Sequence, residues 1–208
     1  MKSTLQIVAL ILTIHNASPA DTNGTYGVKA GMNVASSGEL NILSTASPIT
    51  SFTGGLFAEY QLSNCLAVEP ELLFTRKGSH IFLEGLIVKS VYGTSITQTL
   101  DYLEVPILVK LQFAVSDHSL EAYVGPSIAW LMAASQHIDG WDPSTDYDFT
   151  QQAKPIDLGI VAGCGITLFT SPINLSLDLR IEQGVREVPK RDRRTFNRVL
   201  AAFVAISI

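Results

Sequence analysis

The stretch TLDYLEVPILVKLQF, residues 99–113, presents two different surfaces on one predicted strand. Successive side chains of a β-strand point to opposite faces, so alternate residues form two sets. One set is wholly apolar, whereas the other set carries the charged residues Glu104 and Lys110. The apolar set comprises Leu103, Val105, Ile107, Val109, Leu111 and Phe113. The fold depends on which solvent each of these two faces meets.

The same two-residue alternation recurs along the chain in segments of about ten residues, which is the pattern of β-strands. Beyond residue 20, no stretch has the roughly 18 consecutive apolar residues that a membrane-spanning helix needs. We predict eight strands, at residues 25–36, 51–62, 66–77, 97–113, 120–131, 156–169, 174–184 and 197–208.

The predicted connections alternate between long and short. Long loops are predicted at residues 37–50, 78–96, 132–155 and 185–196, and short turns at residues 63–65, 114–119 and 170–173. In an up-and-down sheet, this alternation places every short turn at one end and every long loop at the other. An even number of strands in this arrangement is typical of outer-membrane barrels. We therefore predict an all-β fold, an eight-stranded antiparallel up-and-down transmembrane β-barrel.

Alternation alone leaves two orientations of the wall open. A soluble, lipocalin-like periplasmic barrel would bury the apolar set and bind a hydrophobic ligand, whereas a membrane barrel turns that set outward to lipid. Aromatic residues of the apolar set collect near both strand ends, as expected for the two membrane interfaces. They are Tyr26, Tyr60 and Phe113 at the short turns and Phe52, Phe74 and Trp130 at the long loops. We therefore favour the membrane barrel.

In that orientation, the charged residues of the polar set meet inside the barrel. Isolated charges in so narrow a space would be costly, so we expect ion pairs and trapped water. A network that fills the lumen is favoured over a proton or ion path. The predicted network comprises Lys29, Glu59, Glu69, Glu71, Glu104, Lys110, Glu121, Asp157, Asp178 and Arg180.

The N-terminus has the layout of a secretory signal peptide, with Lys2, an apolar run at residues 5–14 and a small-residue site ending at Ala20. We predict a signal peptide over residues 1–20, a barrel domain over residues 21–208 and an outer-membrane location. The formal net charge of −5 argues against nucleic-acid binding. The chain has only two cysteines, too few for a disulfide scaffold.

Three segments occur in order at residues 26–36, 66–79 and 100–113: YGVKAGMNVAS, LAVEPELLFTRKGS and LDYLEVPILVKLQF. They resemble the PorT-like outer-membrane β-barrel family of Bacteroidetes-type bacteria, and the YLEVP motif and Gly125-Pro126 are the most specific parts of the likeness. The resemblance implies an eight-stranded outer-membrane barrel, with some family members linked to protein secretion or gliding. The chain departs from the usual outer-membrane pattern at Ile208, where an aromatic residue is common.

The predicted loops carry little catalytic chemistry. His80, His118 and His137 lie on different connections, and no nucleophile motif is present. We expect no catalytic residues, no metal and no cofactor, with a lipid hydrolase assembled from neighbouring strands as an alternative.

Two loop segments have biased charge. HIDGWDPSTDYDF, residues 137–149, contains four aspartates without the EF-hand order, so a solvated acidic loop is favoured over a calcium site. REVPKRDRRTFNR, residues 186–198, is strongly basic. Its Arg191, Arg193 and Arg194 are candidates to contact lipopolysaccharide phosphates or an acidic partner, with a solvated charge run as the alternative.

Taken with the predicted barrel, these features favour a non-enzymatic integral outer-membrane protein with a plugged lumen. We expect it to act in surface interaction, envelope integrity or secretion support. The expected partners are outer-membrane lipid, lipopolysaccharide and other envelope or secretion proteins, and not nucleic acid.

Overall fold

A computed structural model describes residues 24–37, 44–83, 94–116, 118–139, 145–170, 173–185 and 197–208. No helix in these ranges is long and apolar enough to cross a membrane. The predicted signal peptide lies outside the described residues. The strands are β1 (Gly24–Ser37), β2 (Ser44–Ser63), β3 (Leu66–Leu83), β4 (Thr94–Val115), β5 (His118–Asp139), β6 (Thr145–Asp148), β7 (Ile156–Thr170), β8 (Ile173–Gly184) and β9 (Asn197–Ser207).

Eight of these strands close into a ring. Neighbours pair antiparallel in the order β1-β2-β3-β4-β5-β7-β8-β9, and β9 pairs with β1. β6 lies outside the ring and pairs with the far end of β5. The predicted eight-stranded antiparallel barrel is therefore confirmed, with β6 as an added short strand.

The wall has an apolar outer face and a polar inner face. Burial alternates at every residue of β9. Within β4, Val109 exposes 43% of its surface on the outside, whereas the neighbouring Lys110 exposes 5%. An apolar outer face suits contact with lipid. The soluble alternative, which needs the apolar set inside, is therefore wrong.

Aromatic rings mark both ends of the outer face. Tyr26 and Phe113 are exposed near the short turns, and Phe52 and Phe74 are exposed toward the long loops. Tyr26 also packs edge-on against Tyr60, with 6.2 Å between ring centroids. We refer to the two ends of the barrel as the short-turn end and the long-loop end.

One side of the wall is much taller than the other. β4 and β5 each have 22 residues, whereas β8 and β9 have 12 and 11. A tilted strand crosses a membrane with roughly 9 to 11 residues, so about half of β4 and of β5 projects beyond the membrane. The loops predicted at residues 37–50, 78–96 and 132–155 are therefore too long, because strands extend into them. β2 begins at Ser44, β3 ends at Leu83 and β5 ends at Asp139.

A bulge in β5 changes which side chains point inward. Tyr102 pairs with Leu131 and Asp101 with Ala133, so Met132 is an extra residue on β5. The alternation of buried residues shifts by one position there. Ala134, beyond the bulge, therefore faces the interior, as Tyr102 does.

Candidate functional site

The lumen contains four cations and eight carboxylates among the described residues. All of them occupy inward-pointing positions of the wall, which follows from the two-residue period of the strands. The formal charge of this set is 4 − 8 = −4. The cations are Lys29, Lys77, Lys110 and Arg180, and the carboxylates are Glu59, Glu69, Glu71, Glu104, Glu121, Asp157, Asp178 and Glu182.

These side chains form two clusters. The short-turn cluster comprises Lys29, Lys110, Arg180, Glu59, Glu69, Glu71, Glu121 and Asp178. The long-loop cluster comprises Lys77, Glu104, Asp157 and Glu182.

Lys110 is one centre of the short-turn cluster. Its Nζ lies 2.6 Å from Glu121 Oε2, 2.7 Å from Glu59 Oε2 and 2.9 Å from Glu69 Oε2. These carboxylates come from three different strands. A single ammonium group therefore ties β2, β3, β4 and β5 together from the inside.

Glu71 is the second centre of this cluster. Arg180 donates two parallel hydrogen bonds to it, at 2.7 and 2.8 Å, which is the strong bidentate geometry. Lys29 Nζ lies 2.6 Å from Glu71 and 2.8 Å from Glu69. The Arg180 guanidinium also lies 4.5 Å from the ring centroid of Phe203. These contacts connect opposite sides of the barrel and fill its middle.

The long-loop cluster has a single cation among the described residues. Lys77 Nζ lies 2.6 Å from Glu182 Oε1, 3.2 Å from Glu104 Oε2 and 3.9 Å from Asp157 Oδ2, and the Lys77 side chain is 0% exposed. The Lys77 ammonium also lies 5.4 Å from the ring centroid of Tyr102. Three carboxylates therefore share one ammonium group that has no solvent access.

An apolar cap adjoins the long-loop cluster. We define the cap as Leu100, Leu131, Ala134, Phe149 and Ala153, which pack together with Tyr102. The turn after β6 folds back on β5, because the N–H of Phe149 donates to the carbonyl of Ala134 at 3.1 Å. The cap thus lies next to the Tyr102 ring that contacts Lys77.

A polar cavity of about 120 Å³ borders the short-turn cluster. Lys110, Glu121 and Asp178 line its inner part, and Gln61 lies at the rim. Gln61 is exposed to solvent. The cavity is large enough for several water molecules, so the short-turn cluster has a solvated side.

The ten residues of the predicted lumen network all lie inside the barrel in one of these clusters. The sequence-based network omitted Lys77 and Glu182. Both occupy the inward parity of their strands, so the alternation alone was a sufficient signal for them.

The acidic segment belongs to a projecting hairpin. His137 on β5 contacts Asp146 on β6 through Nδ1 at 2.6 Å and Asp139 through Nε2 at 3.1 Å. The hydrogen bond to Asp146, and next the charge of Asp139, raise the pKa of His137. Thr150 donates to Asp148 from its hydroxyl and its N–H, which lowers the pKa of Asp148.

The described residues show no group of three or more His, Cys, Asp or Glu side chains that could hold a metal ion. Asp142 of the acidic segment lies outside these residues, as do Arg191, Arg193 and Arg194 of the basic segment. At the end of that basic segment, Arg198 is exposed and donates to Gln183 at 3.1 Å.

Comparisons with known proteins give one family match. A model of the outer membrane protein beta-barrel domain matches residues 19–188. The comparison with curated proteins gave no match.

Several solved structures are similar in fold. OprG of Pseudomonas aeruginosa is 12% identical, with a TM-score of 0.48, and the match covers 89% of this chain and 95% of OprG. Ail, the attachment invasion locus protein of Yersinia pestis, is 12% identical, with a TM-score of 0.45 and coverage of 89% and 99%. Outer membrane protein W of E. coli is 13% identical, with a TM-score of 0.37 and coverage of 87% and 98%.

Proposed function

The chain belongs to the outer membrane protein beta-barrel domain family, and we propose that it is a non-enzymatic barrel with a closed lumen that acts at the cell surface through its long-loop end. The observation that carries this proposal is the combination of a filled interior with a wall that projects on one side only.

The filled interior argues against a pore. The bidentate pair of Arg180 and Glu71 crosses the lumen, and Lys29 joins it to Glu69. Beyond this pair, Lys77 and its carboxylates occupy the long-loop half. An open channel would need these buried ion pairs to separate, which leaves charges uncompensated at a cost of about 3 to 5 kcal/mol for each broken pair.

The projecting side offers a surface for interaction. Short turns of outer-membrane barrels face the periplasm and the longer loops face outward. The outer parts of β4 and β5, with β6, therefore form a small sheet above the membrane. On this sheet Tyr147 is 59% exposed, and an exposed aromatic residue is a typical contact residue in interfaces.

The hydrogen-bond contacts of His137 support a non-enzymatic role. Both of its ring nitrogens contact carboxylates, so neither nitrogen is directed at a serine hydroxyl that it could activate. The alternative of an outer-membrane lipid hydrolase gains nothing from this arrangement.

We further propose a PorT-like affiliation, with a Bacteroidetes-type source and a role in envelope integrity or secretion support. The YLEVP motif at residues 102–106 supports it through its likeness to that family.

Conductance tests the closed lumen. Purified protein in planar lipid bilayers is expected to give no steady current steps, because buried ion pairs cross the lumen. A steady open conductance from the wild-type protein would contradict the proposal. A variant with both Arg180→Ala and Glu71→Ala, which removes the pair that crosses the lumen, is the positive control for detecting an opened barrel.

Cysteine labelling tests the orientation. In a background with Cys65 and Cys164 changed to Ser, Tyr147→Cys should react with a membrane-impermeant maleimide on intact cells. Gln61→Cys, at the short-turn rim, should react only after the outer membrane is permeabilised. The reverse pattern would place the projecting sheet in the periplasm.

Lipopolysaccharide binding tests the basic segment. Changing Arg191, Arg193 and Arg194 together to Gln should weaken binding to lipopolysaccharide by more than about tenfold, because charge-assisted hydrogen bonds are lost. Lysine at the three positions should restore only part of the affinity, since it lacks the planar fork. Arg198→Gln is the matched control, because Arg198 is already engaged by Gln183. Equal binding by the wild-type and triple Gln proteins would identify a solvated charge run.

A further inference from the structure

Two buried oxygen atoms in the long-loop half have no hydrogen-bond partner among the residues that the structure describes. Asp157 on β7 and Asn197 on β9 are 5% and 1% exposed. Asn197 Nδ2 donates to Asp157 Oδ2 at 2.7 Å, whereas Asp157 Oδ1 and Asn197 Oδ1 remain unpaired. A carboxylate oxygen and an amide oxygen can only accept, so neither can satisfy the other. Each buried and unpaired acceptor costs about 1 to 3 kcal/mol.

The charge around Asp157 is also unbalanced. Lys77 lies closer to Glu182 and Glu104 than to Asp157, which it approaches only to 3.9 Å. Asp157 is therefore the carboxylate of the cluster that lies farthest from its cation. The groups that face it are Lys77 from β3, Tyr102 and Glu104 from β4, Glu182 from β8 and Asn197 from β9.

We propose that Asp157 binds a proton on Oδ1 and, as a neutral acid, forms a closed acid–amide pair with Asn197. The proton turns Oδ1 into a hydroxyl donor for Asn197 Oδ1, while the existing bond from Asn197 Nδ2 to Asp157 Oδ2 completes the ring. One proton thereby satisfies both unpaired oxygens. It also reduces the formal charge of the long-loop cluster from −2 to −1.

A proton fits this site better than a metal ion or a water molecule. Calcium requires six to eight oxygen ligands, and Lys77 already occupies the space between the other two carboxylates. A water molecule could donate to both unpaired oxygens, but it would leave the surplus negative charge in place. A proton needs no added volume, and it both pairs the two unpaired oxygens and reduces the surplus negative charge.

The pair joins strands that are not neighbours. β7 and β9 lie on either side of β8 in the ring, so the acid–amide pair connects them across the lumen at the start of both strands. The proton is therefore part of what holds the long-loop end closed. Its loss would place three carboxylates around one ammonium and weaken that end.

Asp157→Asn is the decisive variant, because an amide at position 157 reproduces the neutral acid. Its NH₂ group can donate to Asn197 Oδ1 where the acid hydroxyl would. The matched control is Asp178→Asn in the short-turn cluster, since Asp178 borders the polar cavity.

Infrared spectroscopy of the folded protein at neutral pH measures the proton directly. The wild-type spectrum should contain the carbonyl band of a neutral carboxylic acid, and Asp157→Asn should lose it while Asp178→Asn retains it. In Asn197→Leu, which removes the partner amide, the band should shift toward that of an unpaired acid. Identical spectra in this region for the wild type and Asp157→Asn would overturn the proposal.

Unfolding equilibria provide an independent test. A folded state that holds one extra proton loses stability as pH rises, because the unfolded aspartate is ionised above a pH of about 4. The unfolding constant of the wild type should therefore increase about tenfold per pH unit relative to Asp157→Asn, from about pH 5 to neutral pH. Parallel profiles would contradict the proposal. Stabilisation by sodium or calcium chloride over choline chloride in the wild type, and not in Asp157→Asn, would also contradict it and identify a metal cation.

Discussion

The two lumen clusters carry the same surplus of charge in different surroundings. The short-turn cluster has three cations and five carboxylates, and the long-loop cluster has one cation and three carboxylates. Each therefore has a formal charge of −2. The first borders a cavity that reaches the rim, whereas the second adjoins the apolar cap through Tyr102.

This difference changes what each charge costs. Water in the cavity can solvate the carboxylates of the short-turn cluster, which weakens their mutual repulsion. Around Lys77, whose side chain is 0% exposed, the same repulsion acts in a medium of lower dielectric and has to be met by pairing or by protons. Solvent access, more than the number of ion pairs, thus decides how strongly each cluster depends on its cations.

The largest expected effect follows from removing the single cation of the long-loop cluster. Lys77→Met should destabilise the folded barrel by at least about 3 to 5 kcal/mol, because it leaves buried carboxylates uncompensated. Lys110→Met should cost less, since Glu59 and Glu121 border the cavity. Urea unfolding of protein refolded into lipid vesicles measures both. Equal losses for the two variants would mean that the cavity does not solvate the short-turn cluster.

A charge introduced on the outer face of the wall tests whether that face is in contact with lipid. Val109 is adjacent in sequence to Lys110 but points outward. Val109→Arg should cost about 2 to 4 kcal/mol if it lies near the bilayer midplane. Val109→Leu, which keeps the apolar character, is the control. An unchanged unfolding free energy for Val109→Arg would mean that this face does not contact lipid.

Opening the cap should make the two clusters more alike. Phe149 is a partly buried member of the cap, so Phe149→Ala should cost only about 1 to 2 kcal/mol. Admission of water should then reduce the cost of Lys77→Met when the two changes are combined. A double-mutant cycle of unfolding free energies measures this coupling. Strict additivity would show that the cap does not control access to Lys77.

The sequence predicted the barrel and its faces well where lipid lies on one side of the wall. There, the apolar set must point outward, so the period-two pattern is strong, as at residues 99–113. It predicted the outer parts of β2 to β5 poorly. Beyond the membrane the outer face no longer meets lipid, so no apolar alternation marks the strands, and backbone pairing such as Ser95 with Asp139 forms them instead.

The site could be predicted only as a set of inward-pointing residues. Parity identified the lumen side of each strand, but the partners of each charge depend on the register between strands. The bulge at Met132 adds a single residue to β5 and changes which of its later residues point inward. No pattern in the sequence predicted this bulge. The cap, which depends on that shift to turn Ala134 inward, was therefore missed.

The smallest expected effect concerns His137, whose cluster of charges is open to water. Its two carboxylate contacts require both ring nitrogens to carry protons, so the fully bonded form is the imidazolium. Because these contacts raise the pKa of His137, they stabilise the pairing of β6 with β5 below the ordinary pKa of about 6.5. This stabilisation is lost as the pH rises through the raised value. Amide hydrogen exchange at Tyr147, corrected for the intrinsic pH dependence of exchange, should therefore show less protection above that value. His137→Gln should remove this pH dependence and leave the barrel folded, since the hairpin projects beyond the ring. The same pH dependence in the His137→Gln variant would assign the titration to another group and show that His137 does not control the pairing of β6 with β5.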